Sequence, residues 1–400
     1  MLLGTDGGVY ASHDRGRSWR RLNDMPITEV YALIVDDAEP YNIYIGTQDN
    51  AALIGPATGS VDPGAPETWR YVYLDQWGGG DSYFTYPDPT DAGTIYYEHQ
   101  FGELRRKDMR ADKAARIGPK AAQGEPVLRR NWMTPYLVSQ HDGHVLLYGA
   151  QRLYRSPDRG DTWSPISPDL TTDPGPDRRG NVPYGTLTTI SESPFDEQLI
   201  YVGTDDGLVQ CTQDGGETWR DISAGLPGRW VTRVVASRHE RARVYVTMTG
   251  YREDDFTAFV FRSEDYGASW VALAAGLPQE PVNVIREHPG RPDEVFIGTD
   301  RSVYVSFDRG AKWSSLHGNL PTTPVHDLAL QPRANALVLG PRGLEARWSH
   351  LIRSQYKPHA NACVLPHSSN KPAVQSASCG HPAAKVSGLH HQISGLPSAV

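Results

Sequence analysis

The sequence predicts an all-β fold: a seven-bladed β-propeller of four-stranded blades over residues 1–340, with a disordered tail over 341–400. Three observations carry the prediction. An eight-residue pattern, S-x-D-x-G-x-S-W, recurs along the chain at near-even spacing. Short apolar or alternating runs of strand length fill the intervals between its copies. The composition favours turns and strands, with 39 Gly, 31 Pro, 20 Tyr and 10 Trp in 400 residues.

The pattern first appears as Ser12 to Trp19, centred on Asp14. It returns as Ser156 to Trp163 around Asp158, Thr212 to Trp219 around Asp214, and Ser263 to Trp270 around Asp265. Ser306 to Trp313, around Asp308, keeps all but the second hydroxyl. A stretched copy surrounds Asp62, and a worn copy at Asp108 has lost its Gly and Trp. From Asp14 to Asp308 the gaps are 48, 46, 50, 56, 51 and 43 residues, a period of about 49. That is the length of one four-stranded blade.

The chemistry of the pattern is structural. The aspartate accepts backbone N–H bonds within its own turn. The glycine admits a left-handed backbone, and the indole is a large apolar body whose N–H needs one acceptor. Asp14, Asp62, Asp158, Asp214, Asp265 and Asp308 are therefore expected to fold hairpins and to do no catalysis.

Each unit supplies its own strands. Around Asp265 these are 231–237, 243–248, 258–263 and 270–273; around Asp214 they are 187–193, 200–204, 207–212 and 219–222. Gly225-Leu226-Pro227, Gly276-Leu277-Pro278 and Asn319-Leu320-Pro321 read as links between blades. Leu2–Thr5 matches a second strand, so the first blade lacks its innermost strand. Val325–Leu330 matches a first strand, and the expectation is that it completes that blade and closes the ring.

Charge and length exclude several classes. Asp plus Glu number 47 against 39 Lys plus Arg, a formal charge of −8, which disfavours nucleic acid as a partner. No apolar run approaches the roughly 18 residues of a membrane span. Met1–Asp6 has neither a basic n-region nor a long apolar core, so no secretory signal is read there. Three cysteines (Cys211, Cys363, Cys379) without a CxxC give neither a disulfide framework nor a zinc site. No HExxH, G-x-S-x-G or Walker loop is found, so no metal or other cofactor is expected.

The repeats resemble the Asp-box, or BNR, repeats of sialidase-like and sortilin-like β-propellers, over about residues 1–340. They are most similar to those of large bacterial and archaeal BNR-repeat proteins described as glycosyl hydrolase-like. The stretches that carry this are Gly46–Asn50, Gly79–Asp81, Gly149–Leu153, Arg159–Trp163 and Ser167–Thr171. The resemblance implies an earlier propeller before this one, so the chain is expected to be the later part of a longer protein, often an exported one. After Gly340 the likeness stops. The tail that follows is rich in Ser, His, Pro and Ala and cannot build a core; it is expected to be disordered or the product of an out-of-frame translation, with a metal-binding tail as the alternative.

Propeller topology places the Asp turns on one face and the turns between second and third strands on the other. In sialidase-like propellers the second face surrounds the channel and carries the site. Its expected members here are Gln48, Asp49, Asp81, Gln151, Arg152, Asp205 and Asp206, beside Trp77, Trp132, His99, Asp300 and Arg301. Carboxylates with amides and aromatics suit a glycan or a peptide, although Asp and Asn also serve their own turns. The reading from sequence is a non-enzymatic ligand- or protein-binding module. The alternative is a xyloglucanase- or sialidase-like glycoside hydrolase, for which Asp49, Asp81, Asp205, Asp206, Asp254 and Asp255 are candidate carboxylates. The Phe-Arg-Ile-Pro signature of sialidases is absent.

Overall fold

The computed structural model describes residues 1–5, 8–21, 27–58, 68–73, 80–175, 182–316, 321–341 and 344–345. Six four-stranded antiparallel sheets follow one another, each built from consecutive strands. Their first strands are Val30–Val35, Ser82–Pro87, Tyr136–Val138, Leu187–Ser193, Trp230–Ala236 and Val282–Glu287, and they define blades 1 to 6. The strands expected around Asp214 and Asp265 occur with shifts of a few residues at their ends.

The core lies between neighbouring blades. Leu199, Tyr201 and Val209 of blade 4 pack on Val231, Val244 and Val246 of blade 5. Blades 5 and 6 meet through Tyr245, Val260, Ile285 and Ile297. Close approach depends on a glycine near the end of the second strand: a Cβ on Gly203 would lie 2.3 Å from Val231 Cγ1, and one on Gly46 would lie 1.9 Å from the Tyr83 carbonyl oxygen.

A two-stranded sheet lies between blade 6 and blade 1. Val325–Gln331 pairs antiparallel with Ala336–Pro341. Val325, Leu328 and Leu337 pack on Val284 and Phe296 of blade 6, while Ala336 and Val338 pack on Val30, Leu33 and Ile43 of blade 1. This corrects the sequence reading in two respects. The final sheet has two strands among the described residues, so the blades of four strands number six and not seven. The partner of Val325–Gln331 is Ala336–Pro341, not Leu2–Thr5, which forms a separate three-stranded sheet with Gly8–Ala11 and Arg20–Arg21. The physical reason is local. A hairpin across residues 332–335 closes a short loop, whereas pairing with the N-terminus would close one of over three hundred residues. Gly340 also repeats the close approach of the other blades, since a Cβ there would lie 2.9 Å from Val30 Cγ1.

The Asp turns join third to fourth strands. In the turn around Asp265, Ser263 Oγ accepts from Gly267 N (2.8 Å) and donates to Asp265 Oδ1 (2.7 Å). Asp265 in turn accepts from Ser269 N (2.9 Å) and Ser269 Oγ (2.6 Å). The turns of Asp14, Asp158 and Asp214 repeat this set. Asp308 lacks the second hydroxyl contact because Lys312 replaces it. Hydrogen bonds from the fifth residue's hydroxyl and N–H hold Asp14, Asp214 and Asp265 down at about 2. The worn copy is a true turn too, with Asp108 accepting from the N–H groups of Arg110 and Ala111. Asp62 lies outside the described residues.

The tryptophans extend the motif beyond its own blade. Trp219 Nε1 donates to the Ile166 carbonyl (2.9 Å), Trp270 to Ile222 (2.8 Å) and Trp313 to Leu273 (2.7 Å), each in the preceding blade. The repeat therefore folds a hairpin and fastens it to its neighbour. A further short pair, Leu344–Glu345 with Ile27–Thr28, runs beyond residue 341; residues 346–400 lie outside the description.

Candidate functional site

The turns between second and third strands carry most of the predicted residues. Gln48 and Asp49 sit between Asn42–Thr47 and Ala52–Pro56 of blade 1, and Asp81 immediately precedes blade 2. These three are brought together. Asp81 is buried, and its Oδ1 accepts from Asp49 N (3.0 Å), while Asp49 itself has a left-handed φ of 58°. Asp81 Oδ2 accepts from Trp132 Nε1 (3.0 Å), Tyr83 OH (3.3 Å) and Tyr31 OH (3.4 Å). Tyr31 OH also lies 3.2 Å from Gln48 Oε1.

A second cluster forms around blades 3 and 4. Asp205 is buried, with Oδ1 accepting from Gly185 N and Thr186 N, both at 2.9 Å, and Oδ2 from Thr186 Oγ1 at 2.6 Å. Burial outweighs these bonds and pushes its carboxyl up to about 6. Asp206 accepts from Thr172 N and Oγ1, both 2.7 Å, and from Thr204 Oγ1 at 2.5 Å. Gln151 Oε1 accepts from Arg129 N (3.0 Å). Arg152 reaches only to 3.9 Å of Glu125.

Two connecting residues tie the clusters. Asn131 and Trp132, adjacent in the link before blade 3, reach Asp205 (3.4 Å) and Asp81 (3.0 Å) respectively. Trp132 also meets Phe101 edge to face, with centroids 4.9 Å apart. Arg129, not singled out from the sequence, pairs with Asp169 (2.5 Å) and Asp173 (3.1 Å) and donates to the Gly185 carbonyl (3.0 Å), pinning the long link before blade 4. Asp255 is held by Arg229 (3.2 Å). Trp77 falls outside the described residues.

A cavity of about 220 Å³ is walled by the first strands of blades 2 to 6, which face the central channel, with Gln140, Pro194 and Arg238 just beyond the ends of those strands. None of the seven predicted binding residues lines it. At its rim, Glu192 accepts from Ser139 Oγ (2.9 Å) and Gln140 N (3.0 Å), and Glu287 from Ser237 Oγ (2.9 Å) and Arg238 N (2.6 Å). His141 and His239 bond carbonyls of the following blade at 2.8 and 2.9 Å. The signal for these staples was present as two Ser-x-His triplets, 139–141 and 237–239, each answered by a Glu about fifty residues on.

Next to the cavity's arginines, Asp327 is fully buried and joins blade 6 to blade 1. It accepts from Arg286 Nη2 (2.6 Å), Leu328 N (3.0 Å) and, across the seam, Leu33 N (3.0 Å). Arg233 Nη2 lies 3.6 Å from the same carboxylate. A charged residue inside an otherwise apolar first strand, as in Val231-Thr-Arg-Val-Val235, could have flagged this trio.

The motif turns, the consecutive four-stranded sheets and the blade-to-blade core together decide the fold. The fold is a β-propeller whose blades carry Asp-box-type turns. No family model matches it. It is 22% identical to a probable oligoxyloglucan-reducing end-specific xyloglucanase of Neosartorya fischeri, over 76% of this chain and 41% of that protein. Among solved structures it is similar to a GH74 xyloglucanase from Xanthomonas campestris, with a TM-score of 0.58, 19% identity, and 82% of this chain and 52% of that one covered. It is also similar to YCF48 from Cyanidioschyzon merolae, at a TM-score of 0.55 and 9% identity over 79% of this chain and 93% of that one. YCF48 is known too with a D1 peptide bound. The propeller thus spans about half or less of the xyloglucanases it matches. At these identities the likeness is one of fold.

Proposed function

We propose that this propeller is a non-enzymatic recognition module for a small ligand, a glycan or a peptide, built on a ring whose seventh blade begins with Val325–Gln331. The observation that supports this most is the state of the turn-face carboxylates. Asp81, Asp205 and Asp206 each accept several hydrogen bonds from the protein itself. A glycosidase needs one carboxylic acid aimed at the leaving oxygen and one carboxylate aimed at the sugar or at water. Carboxylates whose lone pairs hold backbone N–H groups and an indole serve architecture instead.

The second reading, hydrolysis of a xyloglucan-type glycan, is favoured by the names of the matched enzymes. A reducing-sugar assay on xyloglucan oligosaccharides separates the two. The recognition reading expects no release above a protein-free control. Release that Asp81→Asn abolishes, with the fold intact, would establish the hydrolytic one.

A further inference from the structure

We propose that the channel cavity is a binding site for a small organic monocarboxylate carried on an aromatic or apolar body. The inference goes beyond the glycan or peptide of the recognition reading and rests on that reading only for the view that the propeller's task is binding. One wall of the cavity is aromatic. Tyr86 and Tyr136 meet edge to face with centroids 5.2 Å apart, Phe84 meets Tyr136 in the same way at 6.4 Å, and Tyr136 OH donates to the Phe84 carbonyl (2.8 Å). The rings are thus fixed before any ligand arrives.

Two arginines stand beside these rings, Arg233 with its guanidinium 5.9 Å from the Phe84 ring centroid. Arg233 and Arg286 both line the cavity, and one carboxylate, Asp327, serves the two of them. Arg286 is fully employed: besides Asp327 it donates to the Leu328 carbonyl (3.0 Å) and the Ile285 carbonyl (3.1 Å). Arg233 is not. Only 7% of the residue is exposed; Nη1 donates to the Thr232 carbonyl (2.8 Å) and Nη2 to the His326 carbonyl at a long 3.4 Å, and Nε has no hydrogen-bond partner among the described residues. The rim carboxylates do not supply the missing acceptor, since Glu192 and Glu287 are held by their serines and backbone N–H groups.

Arg233 therefore holds an unbonded donor against the cavity, in a buried place where such a group is costly. A ligand carboxylate would supply the missing acceptor with a charge-assisted bond. With Glu192 and Glu287 also lining the cavity, a monoanion suits it better than a phosphate dianion, whose desolvation against three aromatic rings is unfavourable. A cavity of about 220 Å³ is below the range for drug-sized molecules and suits a single ring with a short acid arm.

The test uses hydrocinnamate, with hydrocinnamyl alcohol as its neutral counterpart, titrated into the full chain and read by ligand-observed NMR. The acid should bind at least about tenfold more tightly than the alcohol. Arg233→Met should bring the two within about twofold while the far-UV spectrum is unchanged. Ile190→Trp, which keeps both arginines but fills the cavity from its lining, should abolish binding of both. This second variant decides the matter if Arg233→Met does not fold. Equal binding of acid and alcohol to the wild type, absence of acid binding at millimolar concentration, or acid binding retained by Ile190→Trp would overturn the inference. Failure here without glycan hydrolysis would leave the recognition reading standing, whereas hydrolysis would remove that reading whatever the acid does.

Discussion

Replacing Asp327 by alanine should weaken the ring at its seam. The carboxylate is fully buried, accepts two backbone N–H bonds, one of them from blade 1, and neutralises Arg286 at 2.6 Å with Arg233 at 3.6 Å. Its loss leaves Arg233, with 8% of its side chain exposed, and Arg286, with 26%, without a counter-ion. Breaking a buried ion pair from one side costs about 3–5 kcal/mol, well above the value of the neutral hydrogen bonds alone. Against a total of about 5–15 kcal/mol for a folded domain, this is a large share. Urea unfolding followed by tryptophan fluorescence reads the loss as a lower midpoint. Adding Arg286→Met to Asp327→Ala should recover about 1 kcal/mol or more, because it removes one of the stranded charges. A cost below about 1 kcal/mol for Asp327→Ala, or no recovery in the double variant, would refute the view that this carboxylate holds the seam.

Other outcomes follow from the same geometry. Ser263→Ala orphans the buried Gly267 N–H, so it should cost about 1–3 kcal/mol, while alanine at the exposed Ser314 should stay within about 0.5 kcal/mol; equal effects in urea titrations would contradict the motif's structural role. Glu98 is fully buried, neither carboxyl oxygen finds a hydrogen-bond partner in normal geometry among the described residues, and burial raises it well above the ordinary carboxyl value. The folded state therefore keeps a proton that the unfolded chain loses, so stability declines as pH rises above about 4.5. Glu98→Gln should gain more at pH ~8 than at pH ~4, and an unchanged pH profile of melting temperature would sink this. Burial, with Arg291 and His239 nearby, lowers His288 to about 4 from 6.5, so the unfolded chain binds the extra proton between those values and stability falls as pH drops through that window. An NMR titration of the His288 ring with its midpoint near the ordinary value would contradict the assignment.

The parts of the fold legible in the sequence are the local ones. An Asp turn closes within eight residues, so Asp14, Asp158, Asp214, Asp265 and Asp308 declare it, and even the worn Asp108 keeps the turn. The strand that closes the ring, Val325–Gln331, was legible, but its partner was not, because the chain offers two second strands, Leu2–Thr5 and Ala336–Pro341, and the short hairpin loop with the packing of Gly340 on Val30 selects the latter. The second-to-third-strand positions of Gln48, Asp49, Gln151, Arg152, Asp205 and Asp206 follow from the repeat. Their hydrogen bonding does not, since residue type cannot tell whether a lone pair meets solvent or a backbone N–H. The bridge by Asn131 and Trp132 and the trio of Arg233, Arg286 and Asp327 assemble across blades, over separations that leave no local pattern.

The most direct test of the central claim is incubation of the purified chain with xyloglucan oligosaccharides, followed by chromatography of the products. Recognition without catalysis predicts an unchanged oligosaccharide profile alongside a native far-UV spectrum. Shorter products formed by the wild type, and lost in both Asp81→Asn and Asp205→Asn variants that remain folded, would contradict it.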